Sequence, residues 1–159
     1  MTLTSDHIGL GDRMTTAVAP DYERDLHDWL MSSAHLMRQR SFGEIDADQI
    51  AEELESMGKR ERRELISRLT ILVAHLLKWQ YQPARRTRSW RNTLAVQRSE
   101  LVDLLEDSPS LRYELEQVIE RAYERAKLIA EDETGLDAAI FPQECPYALE
   151  EIIDPQFLP

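Results

Sequence analysis

Apolar residues recur three and four positions apart in several runs along the chain, the spacing of one buried helix face. Tyr22, Leu26, Trp29, Leu30, Ser33, Leu36 and Met37 form the first run, to about Arg40, with Asp21 after Pro20 placed to cap it. His27 and His35 fall on its polar side. A second start is marked by Asp46 as N-cap, Gln49 three residues on, and Ile45 and Ile50 positioned as a hydrophobic staple. Ile50, Leu54 and Met57 continue it. From Arg60 to about Tyr81 the face is Leu65, Leu69, Leu72, Leu76 and Trp79, widened by Ile71 and Val73. Unbroken from Asp46, such a helix would be about 54 Å long. Glu61, Glu64 and Arg68 would then continue the stripe of Ile50, Leu54 and Met57. Both points predict a kink or break near Gly58.

Pro83 ends that element because proline donates no hydrogen bond. Ser89 is the expected cap of the next helix, with Trp90, Leu94, Gln97, Leu101, Leu104 and Leu105 as its stripe. Ser108-Pro109 signals a restart, hydroxyl at the cap and proline at the first helical position. Leu111, Leu115, Val118, Ile119, Ala122, Ala126 and Ile129 carry that helix to Gly135, which suits a left-handed C-terminal cap. The tail holds Pro142, Pro146, Pro155 and Pro159 among aromatic and aliphatic residues. It reads as an ordered strap with a short helix near Tyr147–Ile153. The fold expected is all-α: an irregular helical bundle of about five long helices with a proline-rich C-terminal strap. Residues 1–19 read as a flexible leader, and 20–159 as a single helical domain.

Composition narrows the setting. The lone Cys145 excludes an intrachain disulfide and fits a reducing compartment. No apolar stretch nears the ~20 residues that span a bilayer, and no signal-peptide core opens the chain. A soluble cytoplasmic protein without a membrane role is expected. The net charge of −11 hides a division. Residues 58–98 hold eleven basic residues against two acidic ones, a net +9. The remainder carries eight basic against twenty-eight acidic, a net −20. Such polarity pairs within the chain, pairs copies of it, or presents a basic patch to an anionic partner.

Several motifs carry a resemblance. The run His75 to Gln80, then Pro83, Arg85, Arg88, Ser89, Trp90 and Arg91, is similar to the centre of domain-of-unknown-function family 29. Tyr22 to Asp25 with Trp29, Ala51 to Ser56, Asp107 to Leu111, and Cys145-Pro146-Tyr147 resemble it too, over roughly residues 20–159. The resemblance implies a bundle-like helical domain of bacterial proteins and supplies no activity or site residues.

Three constellations bear on chemistry. His75 falls within an apolar face, and with Glu53, Glu55, Glu61, Glu64 and an inward Asp25 it offers nitrogen and oxygen ligands for a metal. Di-metal bundles need a Glu-x-x-His pair, and none occurs here. A hydrogen-bonded core histidine beside an Arg–Glu pair is the plainer reading. Glu61-x-x-Glu64 with Glu100-x-x-Asp103 has the spacing of paired Mg²⁺ carboxylates, but Arg60, Arg62 and Arg63 would compete for them. The second constellation is Lys78, Arg85, Arg86, Arg88 and Arg91 interleaved with Trp79, Tyr81 and Trp90. Arginine forks grip carboxylate or phosphate, and cations at a helix N-terminus oppose its dipole unless an anion offsets them. Cys145, the third, has no activating neighbour in sequence.

Three function classes follow. The leading one is a non-enzymatic interaction module whose basic segment docks an acidic protein surface or a second copy. Nucleic-acid or phosphate-ligand binding through Arg85–Arg91 is the second. A metal-dependent hydrolase centred on His75, Glu53 and Glu64 is the third. No cofactor is expected.

Overall fold

The computed structural model describes residues 22–159, which divide at Ala51/Glu52 into two compact units. The leader and the Asp21 cap lie outside the described residues. In the first unit, α1 (Leu26–Gln39) starts after Asp25, whose carboxylate accepts from the Asp28 N–H at 3.0 Å. Tyr22 therefore precedes the helix instead of opening it, and its ring meets Trp29 edge-on at 5.0 Å between centroids. Trp29 is buried, while His27 and His35 are exposed as expected. So, against the amphipathic pattern, are Leu26, Leu30 and Met37. The helix ends where Arg40 turns left-handed (φ 60°) and the Ser41 N–H reaches Leu36 O.

The 35-residue α2 (Ala47–Tyr81) begins behind Asp46, whose carboxylate accepts from the Gln49 N–H at 3.0 Å. It does not break at Gly58. The burial pattern explains why. Leu54 and Met57 are exposed, so the first half of α2 has no core stripe for Glu61, Glu64 and Arg68 to continue. That half is largely solvated: Glu55 pairs with Lys59 one turn on, and the buried Glu53 has Arg60 3.7 Å away.

From Leu65 onward α2 is the centre of the second unit. Leu65, Ile66, Leu69, Leu72, Val73, Ala74, Leu76 and Leu77 are all buried. At 100° per residue these positions occupy most of the circumference. Pro83 ends the helix, and a 3-10 turn (Pro83–Arg85) leads to α3 (Arg88–Asp107). The cap of α3 is Thr87, not Ser89: Thr87 has the extended backbone of a cap, and its hydroxyl accepts from the Trp90 N–H at 3.2 Å. Ser108 closes α3 and opens a 3-10 segment (Pro109–Glu114), so the restart predicted there becomes α-helical only at α4 (Leu115–Thr134). Gly135 caps α4 at φ 70°, a conformation that favours glycine.

The tail packs as a strap, with Phe141, Tyr147 and Ile152 joining the α2–α3–α4 core. Its α5 (Leu149–Ile153) has five residues, so the described residues form four long helices and one short one. Among the described residues there is no strand, and no helix is long and apolar enough to cross a membrane.

Open space surrounds the position of a Cβ on Gly58. Gly58→Ala is therefore expected to raise unfolding stability by about 0.5–1 kcal/mol, through lower unfolded-chain entropy. Urea denaturation checks this; a loss of stability would mean that α2 needs flexibility at that point.

Candidate partner-binding site

The basic aromatic segment joins α2 to α3, and most of its polar groups are internal ties. Lys78 is buried near the end of α2, where its ammonium pairs with Glu133 of α4 and lies 4.6 Å from the Trp90 ring centroid. Gln80 accepts from the Tyr147 hydroxyl at 2.6 Å, and Gln82 donates to Thr134 O at 3.1 Å. Arg86 donates to Trp79 O (2.8 Å) and to Pro159 O (3.1 Å), its guanidinium carbon 5.0 Å from the Trp79 ring centroid. Arg98, only 4% exposed, donates to Ile152 O and Phe157 O, each at 2.9 Å. Burial lowers its pKa from the ordinary arginine value, while the nearby Asp154 charge raises it. These bonds fasten the strap to α2 and α3.

Arg85, Arg88 and Arg91 are different. All three are exposed and hold no carboxylate partner among the described residues. Arg88 and Arg91 lie in the first turn of α3, which contains no acidic residue. Cations there oppose the helix dipole at roughly 0.3–1 kcal/mol each. Arg91, its guanidinium carbon 5.6 Å from the Trp79 ring centroid, also borders a groove of about 600 Å³ between α3 and the strap. Leu94, Ala95, Val102, Pro155 and Leu158 give that groove an apolar lining. Trp90 is half-buried under Lys78, and Trp79 is buried, so neither indole offers an open face for a base.

His75, Glu53 and Glu64 do not converge. They lie on the same helix, with His75 about 16 Å along its axis from Glu64 and about 33 Å from Glu53. His75 Nδ1 donates to Ile71 O at 2.9 Å, which fixes the tautomer with a free Nε2. Glu53 is buried with Arg60 3.7 Å away, and Asp25 is occupied as the α1 cap. Glu64 and Glu100, from the two acidic pairs weighed for Mg²⁺, do approach each other. Arg68 stands between them, 2.7 Å from Glu64 and 3.3 Å from Glu100, so a guanidinium already supplies the positive charge. No group of three or more metal-ligating side chains occurs among the described residues. Burial pushes the Cys145 thiol pKa up, away from the thiolate a nucleophile needs.

The sequence reading missed Glu133 as the partner of Lys78, 55 residues away, and the groove beside Arg91. The only local trace of either was the apolar and proline content of the strap.

Burial lowers the His75 pKa below its ordinary 6.5, partly offset by the Ile71 hydrogen bond; the Lys78 charge lowers it further and Glu133 raises it. The unfolded chain therefore takes up this proton first as the pH falls. The histidine's contribution is intact above 6.5 and declines as the pH falls through 6.5 toward the lowered value. Stability measured by urea at pH 8 and pH 5 should show wild type losing more than His75→Gln. Equal losses would contradict the lowered pKa.

A family model described as domain of unknown function DUF29 matches residues 22–158. No curated protein matches the chain, and no solved structure does.

Proposed function

The chain belongs to the family described as domain of unknown function DUF29, and we propose that it is a protein-binding module that receives an acidic segment of a partner on Arg85, Arg88 and Arg91. The observation that carries this reading is the contrast between these three arginines and the bases around them. Lys78, Arg86 and Arg98 are tied to the chain's own groups; Arg85, Arg88 and Arg91 are exposed without a counter-charge at a helix start that lacks acids. A carboxylate-bearing segment offsets that positive end, and an apolar side chain of the same segment fits the groove beside Arg91. A second copy meets the chemical description, since the residues outside 58–98 carry a net −20. Nucleic-acid binding is the weaker reading, because single strands need aromatic faces to stack on and both tryptophans are covered by cations. The single, half-buried thiol suits a cytoplasmic setting.

The probe is a labelled peptide alternating glutamate and leucine, followed by fluorescence anisotropy. Binding should weaken as salt rises from about 25 mM to about 250 mM. It should weaken about tenfold or more in the Arg85→Glu/Arg88→Glu/Arg91→Glu variant, whose sites are exposed and leave the core intact. Equal binding by the variant, or tighter binding of a single-stranded oligonucleotide than of the peptide, would overturn the reading.

A further inference from the structure

A second cationic site lies in the unit formed by residues 52–159, between α2 and α4. Lys59, Arg62 and Arg63 from α2 and Arg121 and Arg125 from α4 line one concave volume of about 370 Å³ together with Ile66. No carboxylate lines it. Two carboxylates reach its cations: Glu55, 3.2 Å from Lys59, and Glu114, 2.5 Å from Arg62. Arg63, Arg121 and Arg125 hold no ion pair or hydrogen bond among the described residues. Five positive charges against two negative ones leave a local excess in a chain whose net charge is −11.

This arrangement works against the helices that build it. Lys59 with Arg63, and Arg121 with Arg125, are like charges four residues apart, a spacing that destabilises a helix. The glutamate nearest in sequence to Arg125, Glu124, is held by Lys127 at 2.7 Å and relieves neither pair. The cleft collects guanidinium groups from two helices in one lining, and each offers paired N–H donors of the kind that phosphate oxygens accept.

We propose that this cleft binds a compact polyphosphate group of two or three linked phosphates, free or carried by a nucleotide. Size and chemistry select that class. The volume lies at the small end of ligand pockets. Its one apolar residue is Ile66, and no aromatic side chain lines it, so it has nothing on which to stack a base. Recognition falls on the phosphates alone, and a strand of nucleic acid gains nothing here that a short polyphosphate lacks.

Calorimetric titration of the full chain at about physiological ionic strength tests the site, with orthophosphate, pyrophosphate, tripolyphosphate and ADP as probes. Pyrophosphate and tripolyphosphate should bind with Kd below about 1 mM and orthophosphate about tenfold more weakly. Arg63→Gln/Arg121→Gln/Arg125→Gln should weaken tripolyphosphate about tenfold or more, with an unchanged or higher melting temperature. The matching triple lysine variant, which keeps the charge but loses the forks, should fall between. ADP equal to pyrophosphate assigns nucleotides to the site; weaker ADP restricts it to free polyphosphate, and either result supports the proposal. No binding of either polyphosphate, unchanged binding by the glutamine variant, or oligothymidylate outcompeting tripolyphosphate at equal phosphate concentration would overturn it.

Discussion

The second unit depends on one constraint: the stretch of α2 from Leu65 to Trp79 has almost no solvent side. A helix apolar on one stripe needs a single neighbour, whereas one buried around most of its circumference must be enclosed. Each large aliphatic side chain taken fully out of water there contributes about 1.5–3 kcal/mol, so the enclosing segments are strongly favoured. Part of the enclosure comes from α3 and α4, and the strap completes it with Phe141, Tyr147 and Ile152.

Enclosure creates a second requirement, since polar groups at the buried end of α2 lose water and must find partners inside the protein. Thr70 donates to Ile66 O and His75 to Ile71 O, each using its own helix. Lys78 takes Glu133, Gln80 takes Tyr147, and Arg86 and Arg98 take carbonyls of the strap. Much of the motif that carries the family resemblance is therefore architecture. By contrast, Arg85, Arg88 and Arg91 at the start of α3, and Arg63, Arg121 and Arg125 in the α2–α4 cleft, hold no ion pair among the described residues.

Features set by local chemistry could be read from the sequence alone. The Leu65, Leu69, Leu72, Leu76 spacing marks a core face, Asp46 caps α2, and Gly135 supplies the left-handed turn that ends α4. Features set by distant partners could not be read. Whether α2 bends at Gly58 depends on what covers Leu54 and Met57, not on the glycine. Thr87 and Ser89 are both good caps, and only the backbone path after Pro83 chooses between them. Glutamates spaced for a metal instead hold Arg68, a pairing between α2 and α3 that spacing within one helix cannot reveal. The acidic partner of Lys78 lies 55 residues away.

Apolar burial draws the strap onto the core, and the buried Arg98 guanidinium fastens its C-terminal part there through Ile152 O and Phe157 O. The decisive measurement is amide hydrogen exchange over residues 149–157 in wild type and in Arg98→Met. With Ile152 O and Phe157 O left without their charged donor, exchange in this segment should accelerate about tenfold or more, while the centre of α2 keeps its protection. Unchanged protection of the strap in the variant would contradict the account.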